Sequence, residues 1–477
     1  MHLDPETCYR ALRSHDPRFD GRFFVGISST GIYCRPICTA RTAKPENCTF
    51  YISAAAAEAK GYRPCLRCRP ELAPGNASVD ATHRLAQSAA ALIEDGLHTE
   101  LGLDGIAERL GVTDRHLRRV FQSEFGVTPV AFAQTQRLLL AKRLLTDTAI
   151  SITEVAFAAG FGSIRRFDAL FQQRYRLTPQ QLRKHPKQSA LPDSLAFELS
   201  YRPPYDWPAI QQFLAARAIT GVEEVEPNAY RRIVALKSHK GWIQVSPSKK
   251  KSTLSVIVSA SLAHTLPAVL ARVKHLFDLS CNPQEIAEIL GPLATSRTGL
   301  RVPGAFDGFE IAVRAVLGQQ ISVAGARTLA GRFVSNFGEP VVTPFKALTT
   351  AFPKTARVAE LQTGDIASLG IIANRANSII ELAKAIDTGK LRLTPGVDIP
   401  TTLETLKAIP GIGDWTAQYI AMRALAWPDA FPHSDLVIMK VLNTKKPKEA
   451  LTAGEAWRPW RAYATMHLWK QSGDKIQ

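Results

Sequence analysis

The stretch LKAIPGIGDWTAQYIAMRAL, residues 406–425, sets one helical run against a short break and then restarts the helix. Pro410-Gly411-Ile412-Gly413 turns the chain, and Asp414 opens the second run. Gly411 and Gly413 let the backbone come close to a bound group. The first amides of the second helix have no intrahelical acceptor, so they point at an anion such as a phosphate. Taken alone, the same pattern also fits an ordinary connection between two helices.

Twenty-two residues beyond Gly413, Asp435 stands among apolar neighbours in AFPHSDLVIMK, residues 430–440. An aspartate in that setting caps a helix or faces a reacting centre. A hairpin followed by such an aspartate resembles the helix-hairpin-helix DNA glycosylases. The blocks RPPYDW, FLAARA, VRAVLGQQIS, PGIGDWTA and WRPWRAYATMHLW narrow the resemblance to the AlkA-type 3-methyladenine DNA glycosylase II, over about residues 197–470.

That resemblance implies a flipped-base enzyme for alkylated purines. Phe213, Trp415, Tyr419 and Trp469 would wall the pocket, and Asp435 would stabilise the oxocarbenium ion or position water. Backbone carbonyls of Lys407, Ile409 and Ile412 would hold a monovalent cation, Na+ or K+. Members that also cut the backbone carry a lysine where this chain has Trp415, so a monofunctional N-glycosylase is expected. No cysteine follows Cys281, which removes the iron–sulfur loop of the endonuclease III branch. Two positions depart from the pattern. Gln320 lies where some members carry an aliphatic wedge, and Leu436 replaces an aromatic residue.

Upstream, cysteines cluster. Cys34-x3-Cys38 and Cys65-x2-Cys68 are two close pairs joined by 26 residues, the spacing that closes a four-thiolate zinc site. Four unliganded apolar cysteines fit poorly beside Arg35, Arg63, Arg67 and Arg69, and Cys8 and Cys48 read as packing residues. The segments TGIYCRPIC…AR and GYRPCLRC resemble the N-terminal domain of Ada, over roughly residues 3–72. The resemblance implies methylphosphotriester repair with Cys34 as methyl acceptor, and Arg35 and Arg41 suit flanking phosphates.

Between these ends lies a repeat. IAERLGV (106–112) aligns with VAFAAGF (155–161), and LRRVFQSEFGVTP with FDALFQQRYRLTP, the second copy carrying one extra residue at Gly162 or Ser163. Each copy reads as a helix-turn-helix, with second helices beginning near Thr113 and Ser163. These would present Asp114, Arg115 and Arg118, then Ile164, Arg165 and Asp168, to major grooves. The segment resembles the AraC-type regulator domain, which implies a transcriptional activator working with RNA polymerase.

Composition supports polyanion binding. The net charge of +17 divides into +8 on residues 1–190 (26 Lys and Arg against 18 Asp and Glu) and +9 on the remainder. Seven cysteines, an odd number, argue against a disulfide framework, and no window approaches the ~20 apolar residues of a membrane span. The first twenty residues are polar and mixed in charge, with no apolar core like that of a secretory signal, so a cytoplasmic protein is expected; a monomer is expected as well.

The expected fold is multidomain α+β. It places a zinc domain at 1–75, an all-α double helix-turn-helix at 80–185, a mixed α/β domain at 195–275 and an all-α helix-hairpin-helix glycosylase domain at 276–477, with a polar linker at 184–194. The competing class is a DNA-binding transcription factor whose glycosylase half binds without excising. A complete Ada carrying the O6-methylguanine transferase is excluded, because no Pro-Cys-His-Arg motif exists and Cys281 sits in LSCNPQE.

Overall fold

The computed structural model describes residues 4–74, 81–96, 98–183, 191–248 and 251–474; linker residues 184–190 lie outside them. The chain divides into two compact units. The first holds Met1–Pro203, Pro247–Ala271 and Leu279–Asn282, and the second Pro204–Ser246, Arg272–Asp278 and Pro283–Gln477.

The first unit begins with α1 (Pro5–Arg13), whose N-cap Asp4 accepts from the Thr7 amide. Strands β1 (Phe24–Ile27), β2 (Ile32–Cys34), β3 (Cys48–Tyr51) and β4 (Arg63–Pro64) form a sheet in the order β3-β1-β2-β4. β2 and β4 run parallel, so a crossover must join them, and α2 (Ala54–Ala59) supplies it. Tyr33 lies opposite Pro64, which sets the next residues, Cys34 and Cys65, at neighbouring strand ends. The long spacing between the cysteine pairs is therefore the length of this crossover.

Helices α3 (Ala81–Glu94), α4 (His98–Arg109), α5 (Asp114–Phe125), α6 (Pro129–Asp147), α7 (Ile152–Ala158), α8 (Ile164–Tyr175) and α9 (Pro179–Leu182) follow. The repeat is visible at its turns. Gly111 and Gly160 have φ of +69° and +82°, a conformation that costs glycine little. Thr113 and Ser163 cap α5 and α8, Ser163 standing three residues past its turn glycine where Thr113 stands two past its own. The shared TP exits are helix starts in both copies: Thr128 and Thr178 cap α6 and α9, with proline at the first helical position.

Buried charges hold the cysteine sheet to α6. Arg69 donates to Glu71 Oε1 at 3.0 Å and to Asp147 Oδ2 at 2.7 Å, and Lys142 Nζ reaches Glu71 Oε2 at 2.6 Å. The Lys142 and Glu71 side chains are each 2% exposed. Nearby, Glu58 accepts from the Tyr33 and Thr135 hydroxyls, both at 3.0 Å, and its carbonyl accepts from Arg174 of α8.

The middle of the chain supplies β5 (Ser194–Ser200), α10 (Trp207–Arg217), β6 (Glu223–Glu226), β7 (Ala229–Leu236), β8 (His239–Pro247) and β9 (Thr253–Ser259). β5 and β9 pair antiparallel from Ser194 opposite Ser259 to Ser200 opposite Thr253, and β6, β7 and β8 form an antiparallel meander. The expected mixed segment is thus strand-rich. Arg143 of α6 donates to the Glu198 carbonyl at 2.5 Å and lies 4.8 Å over the Phe197 ring, which ties β5 to the first unit.

The rest is mostly helical, through α11 (Leu266–Leu276), α12 (Pro283–Leu290), α13 (Gly308–Leu317), α14 (Val323–Phe337), α15 (Thr355–Ala359), α16 (Thr363–Ala367), α17 (Ala373–Asp387), α18 (Ile399–Lys407), α19 (Asp414–Arg423), α20 (Leu436–Val441), α21 (Pro447–Gly454) and α22 (Arg461–Asp474); the expected all-α segment also carries a short antiparallel sheet, β10 (Glu339–Pro340) with β11 (Thr350–Ala351). α13 is almost wholly buried. The two polar side chains it turns inward are paired: Glu310 with Arg232 and Arg314, and Arg314 also with Glu223.

Candidate functional site

The hairpin connects α18 to α19. Gly411 has φ +84°, and a Cβ there would stand 2.3 Å from Ser378 Oγ, so glycine is required. Ser378 donates to the Pro410 carbonyl at 2.6 Å, pinning the turn to α17. Gly413 differs. Its φ is −85°, and a Cβ there would meet nothing within 4 Å, which leaves open space beside the first amides of α19.

The loop after α13 is latched to the same hairpin. Gln319 Nε2 donates to the Gly411 carbonyl at 2.8 Å and to Thr416 Oγ1 at 3.0 Å, and Arg375 holds the Gln319 carbonyl. Gln320 follows at the exposed tip with φ +52°, a left-handed value uncommon for glutamine.

Asp435 is both cap and pocket residue. Its Oδ1 accepts from the amides of Val437 (2.9 Å) and Ile438 (3.2 Å) and from Trp469 Nε1 (3.2 Å), and its Oδ2 from Trp415 Nε1 (2.9 Å). The two readings left open in the sequence coincide at one carboxylate. Trp415 and Tyr419 stack at 5.4 Å and 16°, one helical turn apart on α19. Tyr419 meets Trp469 at 6.3 Å, and Phe213 lies nearly parallel to Trp469 at 6.4 Å and 17°. All five expected residues are therefore together.

Two arginines that motif reading passed over complete the walls. Arg217 lies 3.8 Å over the Phe213 ring, and Arg423 lies 4.9 Å from it while donating to the Tyr419 hydroxyl at 2.7 Å. Burial raises the Tyr419 hydroxyl pKa, but Arg423, Arg217 and Arg314 outweigh it and leave the group below the ordinary tyrosine value. Their sequence signals were slight: Arg217 sits inside FLAARA, and Arg423 stands one turn after Tyr419.

At the other end of the chain, the sulfur atoms of Cys34, Cys38, Cys65 and Cys68 all lie within 4.8 Å of one another. Tetrahedral Zn–S bonds of ~2.3 Å place sulfurs about 3.8 Å apart, so the cluster fits one Zn2+. Cys8, Cys48 and Cys281 stand outside it. Cys68 Sγ accepts a backbone hydrogen bond from the Arg35 amide at 3.3 Å.

Arg35 corrects an expectation. It is 3% exposed, its guanidinium is committed to Asp20, and it also donates to the Cys68 carbonyl at 3.1 Å. It braces the sulfur cluster and is not presented to a phosphate. Arg41 is exposed, as are Arg115, Arg118 and Arg165 on α5 and α8; Arg118 is shared with Asp114 at 2.5 Å.

A carboxylate in an aromatic slot behind a phosphate-type hairpin, carried with a four-thiolate centre and a doubled helix-turn-helix, defines a base-excision DNA repair enzyme joined to a DNA-binding regulator. Family matches follow the same division: the metal binding domain of Ada at 7–71, a helix-turn-helix domain at 106–185, the AlkA N-terminal domain at 196–307 and the HhH-GPD superfamily base excision DNA repair protein at 313–458. The chain belongs to the family of AlkA-type bifunctional transcriptional activator/DNA repair enzymes. A probable member from Mycobacterium tuberculosis (strain ATCC 25618 / H37Rv) is 38% identical over 98% of this chain and 97% of its own. DNA-3-methyladenine glycosylase 2 of Escherichia coli (strain K12) is 38% identical over 58% of this chain and 98% of its own. The 3-methyladenine DNA-glycosylase from Archaeoglobus fulgidus shares the fold of the C-terminal part, at 21% identity and TM-score 0.51 over 58% of this chain and 98% of its own.

Proposed function

We propose that the second unit excises alkylated purines of the 3-methyladenine type as a monofunctional glycosylase, while the first accepts a methyl group from DNA and activates transcription. The observation that carries the first half is the Asp435 carboxylate, fixed by two indole and two backbone N–H groups against the aromatic slot.

Alkylation at N3 or N7 makes the base cationic and weakens its glycosidic bond, so little acid catalysis is needed. The flipped base enters among Phe213, Trp415, Tyr419 and Trp469, whose ring faces attract an electron-poor ring. As the bond breaks, positive charge grows on the sugar and Asp435 opposes it from a fixed position, directly or through an ordered water. Gly411 and Gly413 receive a phosphate, and the carbonyls of Lys407, Ile409 and Ile412 would hold Na+ or K+, which would offset the phosphate's charge; the Ile409 carbonyl also accepts from the Ile412 amide at 3.1 Å. Gln320 fills the gap left by the base.

In the first unit Cys34, Cys38, Cys65 and Cys68 would hold Zn2+, whose charge would keep their thiols deprotonated. Cys34 Sγ attacks the methyl carbon of a phosphotriester. The S–C bond forms, the C–O bond breaks and a phosphodiester anion leaves. The transfer is stoichiometric. Loss of one negative charge beside DNA then strengthens binding, with Arg41, Arg115, Arg118 and Arg165 as contacts. The remaining roles follow the expected segments at 1–75, 80–185, 195–275 and 276–477: a cytoplasmic monomer that recruits RNA polymerase.

The test is excision from duplex DNA containing 3-methyladenine, with strands resolved before and after alkali. Free base with an intact abasic strand is expected, and borohydride should trap no covalent complex because Trp415 replaces a Schiff-base lysine. Absence of base release would return the protein to the class of binding-only regulators.

A further inference from the structure

The segment VLNTKKPKEA, residues 441–450, is used by none of the chemistry above. With Lys440 it carries four lysines against one glutamate within ten residues. Its position relative to the active carboxylate is fixed. α20 begins at its cap Asp435, so Lys440 stands about 7 Å along the helix from that residue, on the face of Leu436, which is 79% exposed.

The turn after α20 is ordered. Asn443 takes a left-handed φ of +51°, and Thr444 accepts from the Lys446 amide at 3.1 Å and donates to Glu449. α21 then packs against the base of the pocket: a Cβ on Gly454 would stand 2.6 Å from the Phe431 ring, and Phe431 shares a core with Ile438, Leu468 and partly buried Trp469. Lys446 is paired with Glu449 at 3.2 Å. Lys440, Lys445 and Lys448 are exposed and have no carboxylate partner among the described residues.

We propose that Lys440, Lys445 and Lys448 form a phosphate-binding strip that holds duplex DNA beside the lesion, a second anchor separate from the Gly411–Gly413 hairpin. This rests on the glycosylase reading of the second unit. Lysines are hydrated point charges without the planar fork that arginine offers to base edges, so the strip fits the sugar–phosphate backbone irrespective of sequence. Each lysine seated on a phosphate releases condensed counterions and contributes about 0.9 to the slope of log affinity against log salt.

The experiment measures kcat/KM for 3-methyladenine excision by the full chain at several KCl concentrations. It compares wild type, the triple variant Lys440→Gln/Lys445→Gln/Lys448→Gln, and a charge-matched control, Lys346→Gln/Lys384→Gln/Lys390→Gln. The strip variant should lose about 2.7 from the slope, so that raising salt from 50 to 200 mM costs it roughly forty-fold less than it costs wild type. Its defect should lie in KM and shrink as salt rises, a convergence that a misfolded variant would not show. An unchanged slope, an equal loss in the control, or a defect confined to the saturated rate would overturn the strip. Base release by wild type keeps the glycosylase reading standing in each of those outcomes.

Discussion

Asp435 places a structural and a chemical demand on one side chain, and the two can be separated. In Asp435→Asn the amide oxygen can take the Oδ1 position, keeping the cap to Val437 and Ile438, while the new NH2 meets the Trp415 N–H donor to donor. Single-turnover excision should fall by roughly 10² or more, with the melting temperature nearly unchanged. Trp469→Phe keeps a ring but removes one donor, and should cost about ten-fold in the same assay. Glu58 makes a different prediction. Burial raises its carboxyl pKa to about 7, against the opposing hydrogen bonds from Thr135 and Tyr33. A raised carboxyl favours folding below the unfolded value of 4.5 and loses that contribution as pH climbs through 7. Chemical denaturation of Glu58→Gln should therefore show a first-unit transition flatter between pH 4.5 and 7 than wild type, by on the order of 3 kcal/mol. Asp435 was legible from sequence because its neighbours are apolar and its motif is local. Arg35 was misread for the converse reason: its partner Asp20 comes from a distant turn and gives no signal beside CRPIC.

Among elements, the hairpin offers a paired test. Gly411→Ala must enter both a left-handed φ and the space of Ser378 Oγ, and should lower the melting temperature and raise KM, at about 1–3 kcal/mol. Gly413→Ala meets neither obstacle, so its fold should persist and a raised KM alone would report an approaching phosphate. If both variants behave alike, the hairpin is only a connection. The second helices of the repeat begin after Thr113 and Ser163, as residue type and turn glycines foretold, since capping is settled within four residues. The latch from Gln319 to Gly411 was not foreseeable, because it spans ninety-two residues and a glutamine carries no marker of its partner. Helix starts and turns are written locally; the braces that set one element against another are not.

For the whole molecule, the pocket residues Phe213, Trp415, Tyr419, Asp435 and Trp469 all belong to the second unit, and the four sulfurs to the first. Chelation, or Cys65→Ala, should remove one equivalent of zinc and abolish methyl transfer while base excision continues; metal analysis beside both assays decides it. Excision lost together with zinc would show that the activities are inseparable. Four segments were readable from motifs, yet the chain gathers into two units, because packing between segments depends on side chains such as Lys142 and Arg143 that no motif contains. Those charges limit how such a protein can be taken apart. A protease nick or an intron-like junction between residues 74 and 81 looks harmless on a domain map. A fragment ending there would carry Glu71 and Arg69 without Lys142 and Asp147, losing the pairs that hold it to α6. Recombination that swapped the sensor for another would have to carry α6 with it, so the two are best regarded as a single heritable cassette.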